Sequence, residues 1–367
     1  MDRIGSAEVG GVESYTFRLG EALARSGHEI VLYGGQPRKP LSFEVPGVSF
    51  HLLPHLETAA VPDLGTRFRR LVQRLHFAWR SRNELLREWF DAILIFKPYD
   101  LITAWLWRRW GLRARVVASI HGPEFYPGDR QFAGSVDAWY AVNHSTARAV
   151  ENRYGKRCEA IPNFLDGKQI AFPDRPHPPQ EKLVITVGRL VGWKGLAHLA
   201  RAFARIHAGP AIKDPLRLAI IGDGPERSPL ETLVRDLRIA QKVDFPGVLG
   251  EEELADYRKR AWLHVQPSIG YESFSISTLE ALASGVNVLA SDQVGIAEWF
   301  HSDNVLEVYP ASDTVELERR LIRLLSESWA ENRERSLRAR AVVEKEFTVE
   351  RVVPRIENLC RLDQSRP

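Results

Sequence analysis

Two glutamates, Glu272 and Glu280, stand eight positions apart in Gly270 to Val288, GYESFSISTLEALASGVNV. The apolar spacing puts Glu280 on a helix over about Ser277 to Ser284 and Glu272 in the loop leading into it. Ser273 to Ser277 then lie at the helix's amino end, where unpaired backbone N–H groups and the helix dipole attract phosphate. One carboxylate before an anion site and another behind it suit hydroxyl recognition, with sugar hydroxyls on one side of the phosphates and ribose on the other. The competing reading is two solvated or capping glutamates, the usual state of acidic side chains.

A second cluster is VGRLVGWKG, Val187 to Gly195. It follows a strand, opens a helix and carries Arg189 and Lys194 between the two. Cations placed there neutralise charge developing on a diphosphate leaving group; ordinary basic loop residues are the alternative. The P-loop pattern is not met, and IIGDGPE (Ile220 to Glu226) is half a dinucleotide fingerprint without its third glycine, weak support for NAD. The chain has no Asp-x-Asp, so no catalytic divalent metal is expected, and no resident cofactor either.

The elements that position these loops alternate. A helix over Val12 to Ser26, with Val12, Tyr15, Leu19, Ala22 and Leu23 on one face, stops at Gly27, and EIVLYGG (Glu29 to Gly35) reads as a buried strand. Apolar runs follow at Ala92 to Phe96, Val116 to Ile120 and Ala138 to Val142, with helical composition at Leu101 to Leu112. Asp166 to Lys182 holds four prolines and suits a connection between domains. Strands then recur at Leu183 to Val187, Leu216 to Gly222, Lys242 to Gly247, Leu263 to Ser268 and Val286 to Ser291. Helical stretches at about Leu196 to Ile206, Ser228 to Leu237, Glu251 to Arg260 and Ser277 to Ser284 separate them. The pattern predicts an α/β protein with two Rossmann-like, doubly wound domains facing across a cleft. The expected boundaries are a first domain over 1–165, a linker over 166–182, a second domain over 183–345 and a C-terminal helix within 346–367 returning to the first domain. A first strand should precede Gly10-Gly11, yet Met1 to Val9 offer only Ile4 and Val9 as β-branched residues. That strand is expected to be missing from this start, with a longer natural reading frame upstream.

With 367 residues, length alone asks for about two domains. A composition 44 % hydrophobic and 26 % charged is that of a core-forming protein. No apolar run reaches the roughly 20 residues of a membrane span, no leader is evident, and two cysteines cannot build a disulfide scaffold. A cytoplasmic protein is expected. The net charge of +3 argues against bulk nucleic-acid binding. Its distribution is uneven: Leu64 to Phe90 holds seven arginines, two acids and many aromatic and aliphatic residues. Contact with an anionic membrane, at the inner face of the cell membrane, is one reading of that stretch; a solvated basic helix is the other.

Taken together the motifs are similar to those of family 4 retaining glycosyltransferases, which have the two-domain GT-B fold and use nucleotide-sugar donors. The resemblance rests on GGVE (Gly10 to Glu13), SGHEIVL (Ser26 to Leu32), IHG (Ile120 to Gly122), IPNFLD (Ile161 to Asp166), VGRL…KG, IIGDGPE, VDFPG, QPS, the Glu272/Glu280 stretch and SDQVGIAEWF (Ser291 to Phe300). It covers nearly the whole chain and is strongest from Leu183 to Phe300.

The resemblance implies roles residue by residue. Arg189 and Lys194, with Gly188 beside them, would bind the donor diphosphate, and Glu280 would hold the ribose hydroxyls. Glu272 and the backbone N–H groups of Phe274, Ser275 and Ile276 would face the donor sugar and distal phosphate. Gly10 and Gly11 would let the first domain's backbone approach phosphate or acceptor, and His121 would sit beside the transferred sugar. Outside that context a histidine before a glycine at a strand end reads as a turn or packing residue. Glu298 would join the donor pocket. The implied partners are a nucleotide sugar as co-substrate and an acceptor that is a glycan, a lipid-linked sugar or a small molecule. This chain departs from the family pattern at Ser275, where glycine is common, at Gly295-Ile296, where Gly-Gly is common, and at Phe164 after Asn163. A non-catalytic nucleotide-sugar-binding or scaffold subunit and a GT-B sugar-nucleotide epimerase are the alternative functions.

Overall fold

The structure is a computed structural model that describes residues 11–36, 44–54, 56–57, 60–167, 177–300 and 305–361. Its backbone divides into two units, 1–163 with 350–367, and 164–349. The expected first strand and Gly10 lie outside the described residues.

The first unit opens with α1 (Gly11–Arg25), which buries Tyr15, Leu19, Ala22 and Leu23 along one face, followed by β1 (Ile30–Gly35) and β2 (Val48–Leu53). These two strands pair in parallel, Ile30 opposite Val48. Then come α2 (Thr66–Arg87), β3 (Ala92–Ile95), α3 (Leu101–Arg109), β4 (Arg115–Ile120), β5 (Ala138–Ala141), α4 (His144–Tyr154) and β6 (Glu159–Ala160). The strands β3-β4-β5-β6 form a parallel sheet in chain order. Ile95, Val116, Ala118, Ile120 and Trp139 from this sheet meet Leu101 and Trp107 of α3 in the unit's core.

Charge is also used inside this unit. Arg74 of α2 lies 2.8 Å from Asp100, ahead of α3, with the two side chains only 7 % and 3 % exposed. Removing one member strands the other in a low-dielectric site, a loss of about 3–5 kcal/mol. Arg74→Ala is therefore expected to lower the unfolding free energy of the first unit, measured by urea titration, by that amount. Asp100→Asn in the same background should recover part of it, because no unpaired charge then remains.

The second unit runs through β7 (Lys182–Val187), α5 (Leu196–Ala208), β8 (Leu216–Ile221), α6 (Arg227–Asp236), β9 (Val243–Gly247), α7 (Glu251–Arg260) and β10 (Ala261–Gln266). It continues with α8 (Ile276–Ala283), β11 (Asn287–Ser291), β12 (Leu306–Tyr309), α9 (Thr314–Leu325) and α10 (Trp329–Glu346). Its six strands are all parallel, in the order β12-β11-β10-β7-β8-β9. Leu218, Ile220, Leu263, Val265 and Leu289 of the sheet pack against Leu199 and Phe203 of α5 and Leu317 and Leu321 of α9.

The last helix, α11 (Val349–Cys360), belongs to the first unit from Glu350 onward. There Arg355 donates to Glu159 at 2.8 Å and to the Ala160 carbonyl at 2.6 Å, and Arg115 donates to the Leu359 carbonyl at 2.7 Å. The second unit takes in Phe164, and there Leu165 pairs in parallel with Thr348.

Candidate active site

Counted within the second unit, the sheet order is third, second, first, fourth, fifth, sixth. The order reverses between β7 and β10, and loops leaving their carboxyl ends diverge, opening a crevice where ligands bind in such sheets. The residues singled out by chemistry follow these two strands: Gly188 to Gly195 after β7, and Pro267 to Ser275 after β10.

Glycine lets these loops close on one another. A Cβ on Gly195 (φ +67°) would lie 2.0 Å from the Pro267 carbonyl oxygen, and one on Gly222 (φ +131°) would lie 2.0 Å from that of Gly188. Both positions need the absence of a side chain and a backbone that L-residues rarely adopt. The contact is then fixed by hydrogen bonds: Gly188 N–H donates to Ile221 (3.0 Å), and Leu190 N–H to Asp223 (2.9 Å). Ile269 and Gly270 N–H both donate to the Trp193 carbonyl, at 2.8 and 3.0 Å.

Across this junction the Lys194 ammonium donates to Glu272 Oε1 at 2.5 Å, and both side chains are 11 % exposed. The other carboxylate oxygen accepts from Ser268 Oγ at 2.6 Å and from Gln266 Nε2 at 3.0 Å. The backbone of Glu272 is held as well, donating to Gln293 (2.9 Å) and accepting from Gly295 (2.7 Å). Lys194 also lies 4.9 Å from the Trp193 ring centroid. The ammonium has three protons, and Glu272 takes one of them. Arg189 is exposed on the same loop, and a Cβ on Gly188 would lie 3.7 Å from Lys194 Nζ. Gly188, Arg189, Lys194 and Gln266 share a small recess.

The amino end of α8 borders this pair. Phe274 turns its ring into the core, 6.2 Å from that of Phe347, so only its backbone is available to a ligand. Ser275 sits at φ +72°, the left-handed conformation that favours glycine. Its hydroxyl lies 2.9 Å from that of Thr278, and Ser277 Oγ donates to the Val187 carbonyl at 3.0 Å, tying α8 to the end of β7. The N–H groups of a helix's first turn have no intrahelical acceptor, so Ile276 and its neighbours present donors beside Lys194.

On α8, Glu280 is paired with Arg258 of α7, a partner that the sequence reading did not identify. His264 of β10 is fully buried; burial first, then the cations Arg258 and Lys194, push its pKa down to about 3. The unfolded chain takes up this proton near pH 6.5 whereas the folded chain does not until about 3. Below pH 6.5 the unfolded state is favoured, by about 1.4 kcal/mol per pH unit for this group. The urea midpoint of the second unit should accordingly drop between pH 6 and pH 5, and His264→Gln should flatten the dependence.

The other candidates are placed as follows. Glu298 lies in the 3-10 turn Gly295–Trp299, three residues beyond the Gly295 N–H that donates to Glu272. In the first unit Gly11 opens α1 with free space around its Cα. His121 follows β4, with its Nε2 3.0 Å from Ser119 Oγ and its ring edge-on to Tyr15 at 4.7 Å. Burial and the nearby Lys97 push its pKa down to about 3, which keeps the imidazole neutral. Arg258 and His264 carry no signal in the sequence that marks them as neighbours of this site. Gln266 and Ser268 belong to the QPS motif, but a serine and a glutamine next to a strand end give no sign of the carboxylate they grip. Among the described residues no three His, Cys, Asp or Glu side chains gather as a metal site.

A six-stranded parallel sheet of this order in one unit and a four-stranded parallel sheet in the other define an α/β protein of the two-unit GT-B fold. The chain belongs to the group 1, family 4 glycosyltransferases. The model for glycosyl transferases group 1 matches residues 167–341, and that for Glycosyltransferase Family 4 matches residues 9–169. An uncharacterized glycosyltransferase of Methanocaldococcus jannaschii is 37 % identical over 131 residues, 35 % of this chain and 32 % of that protein. The match thus spans about a third of that relative's length. N-acetyl-alpha-D-glucosaminyl L-malate synthase of Bacillus anthracis is 25 % identical over 96 % of this chain and 93 % of its own. Sucrose-phosphate synthase from Thermosynechococcus elongatus superposes with a TM-score of 0.80 at 21 % identity, covering 97 % of this chain and 94 % of that one. Anabaena HepE in complex with UDP and glucose gives 0.74 at 16 % identity, covering 98 % of each chain. At these identities the two structures show the fold.

Proposed function

We propose that this protein transfers a sugar from a nucleoside-diphosphate sugar to an acceptor hydroxyl with retention of anomeric configuration. The observation that carries the reading is the Lys194–Glu272 pair, locked at the switch point beside the amino end of α8. In this reading Lys194 and Arg189 bind the diphosphate and stabilise it as it leaves, together with the N–H groups of Phe274, Ser275 and Ile276. Glu272 faces the donor sugar, Glu298 borders it, and Glu280 holds the ribose hydroxyls. Gly10 and Gly11 let backbone approach phosphate or acceptor, and His121 has a neutral imidazole able to share a hydrogen bond with a hydroxyl. Relatives of similar length act on sugars, and the Anabaena structure holds UDP and glucose, which supports a nucleotide-sugar donor.

The anomeric carbon–oxygen bond breaks first, its electron pair leaving with the diphosphate. The acceptor oxygen then attacks the oxocarbenium-like sugar on the face just vacated and passes its proton to a phosphate oxygen. The protein contributes position and charge stabilisation at the leaving group.

The role of Glu280 is testable by binding alone. A charged hydrogen bond lost from a buried site costs a factor of about ten or more. A ribonucleoside diphosphate should therefore bind at least about tenfold more tightly than its 2′,3′-dideoxy counterpart in titration calorimetry. In Glu280→Ala the two affinities should converge; an undiminished preference would remove Glu280 from the ribose site.

A further inference from the structure

One surface of the first unit has no part in this chemistry. On α2, Phe68, Leu75, Trp79 and Leu86 are all exposed, and their spacings of seven, four and seven residues place them on one line along the helix. The line is about 27 Å long at 1.5 Å per residue. The buried residues Arg74, Phe77, Ala78, Ser81 and Leu85 occupy another side, so the apolar line is not the helix's core contact. Trp89, just past the helix end, is 78 % exposed, and Trp79 is 57 % exposed. Trp110, after α3, extends the patch with its ring 6.2 Å from Trp79.

Arginines edge this line. Arg69, Arg80 and Arg87, eleven and seven residues apart, form a second row on the side away from the core, and Arg82 lies over the Trp79 ring at 3.3 Å. Glu84 is the helix's single acid, and it is engaged with His51 at 2.6 Å. An apolar ridge with indoles, bordered by guanidinium groups of which Arg69 is paired with Asp63 at 3.1 Å, matches a layer that is apolar below and anionic above. A second copy of the same face fits poorly, because a two-fold contact would set arginine row near arginine row. No described helix is long and apolar enough to cross a membrane, so the contact this surface offers is lateral.

We propose that the exposed side of α2, with Trp89 and Trp110, docks on an anionic lipid bilayer, its aromatic ridge at headgroup level and its arginines against lipid phosphate. The proposal does not depend on sugar transfer, and its test reads lipid binding alone. The full chain is sedimented with vesicles of phosphatidylcholine, and with vesicles of equal parts phosphatidylcholine and phosphatidylglycerol. It should pellet with the mixed vesicles, weaken as salt rises, and bind pure phosphatidylcholine at least about tenfold less well. The double variants Trp79→Ser/Trp89→Ser and Arg80→Glu/Arg87→Glu should each lower the affinity for mixed vesicles at least about tenfold, with unchanged circular dichroism. A wild-type chain that stays in the supernatant with mixed vesicles would overturn the proposal. So would equal binding to both vesicle types, undiminished binding by folded variants, or dimerisation through this face without lipid binding.

Discussion

Lys194→Ala should slow donor turnover by at least about a hundredfold while the protein stays folded. A positioned charge at a developing oxyanion in a water-poor site contributes on the order of 10²–10³ in rate. Lys194 is buried and held by Glu272. Arg189 is exposed on the same loop, and Arg189→Ala should cost less, about tenfold. Stability should fall only modestly in Lys194→Ala, because Glu272 keeps Ser268 and Gln266 as partners. Thermal melts and donor-hydrolysis rates measured on one preparation separate the two effects. Undiminished turnover in the folded variant would exclude Lys194 from the leaving-group site.

The second large effect is expected from a single methyl group. In Gly195→Ala the new Cβ would lie 2.0 Å from the Pro267 carbonyl oxygen, a backbone atom that cannot yield cheaply. The left-handed backbone (φ +67°) adds about 1–2 kcal/mol of its own. The loop must withdraw, and it carries away Lys194 and the Trp193 carbonyl that holds Ile269 and Gly270. A destabilisation of at least about 3 kcal/mol, with loss of nucleotide binding, is expected. Gly192→Ala is the control three positions away, since its Cβ would meet nothing nearer than Glu226 at 3.9 Å. Urea titration and calorimetry on both variants make the comparison; a Gly195→Ala protein with wild-type stability and affinity would contradict the loop geometry.

Much of the second unit was legible because buried parallel strands read as short β-branched runs, and its glycine loops mark where they end. The strands expected at Leu183 to Val187 and Leu216 to Gly222 match β7 and β8 closely, and the helix expected over Ser277 to Ser284 differs from α8 by one residue. The elements β12, α9 and α10 went unread although two carry strong caps. Asp313 accepts from the N–H groups of Val315 and Glu316, and Ser328 with Glu331 makes a capping box, both visible as spacing. β2 went unread for another reason: it is mostly half-buried, so its apolar alternation is diluted.

At the site, the motifs around Lys194 and Glu272 could each be read, but not their contact across 78 positions. That contact depends on the sheet order, which places β7 beside β10, and sequence periodicity does not rank strands in space. Arg258 was hidden for the same reason. It appeared as one of three basic residues at the end of a charged helix, and only packing of α7 near α8 selects it as the partner of Glu280. Ser275 is the reverse case: its departure from the family's glycine was plain, and the backbone retains the conformation a glycine would favour.

Retaining transfer from a nucleotide sugar is tested most directly by following the purified chain with a panel of nucleoside-diphosphate sugars in time-resolved proton NMR. One spectrum reads donor consumption, nucleotide release and the configuration of the new anomeric proton before mutarotation. Consumption of a donor, with release of its diphosphate and an initial product of the same anomeric configuration, is the predicted result. An inverted product, or a protein that binds nucleoside diphosphate yet consumes no donor on the panel, would contradict it.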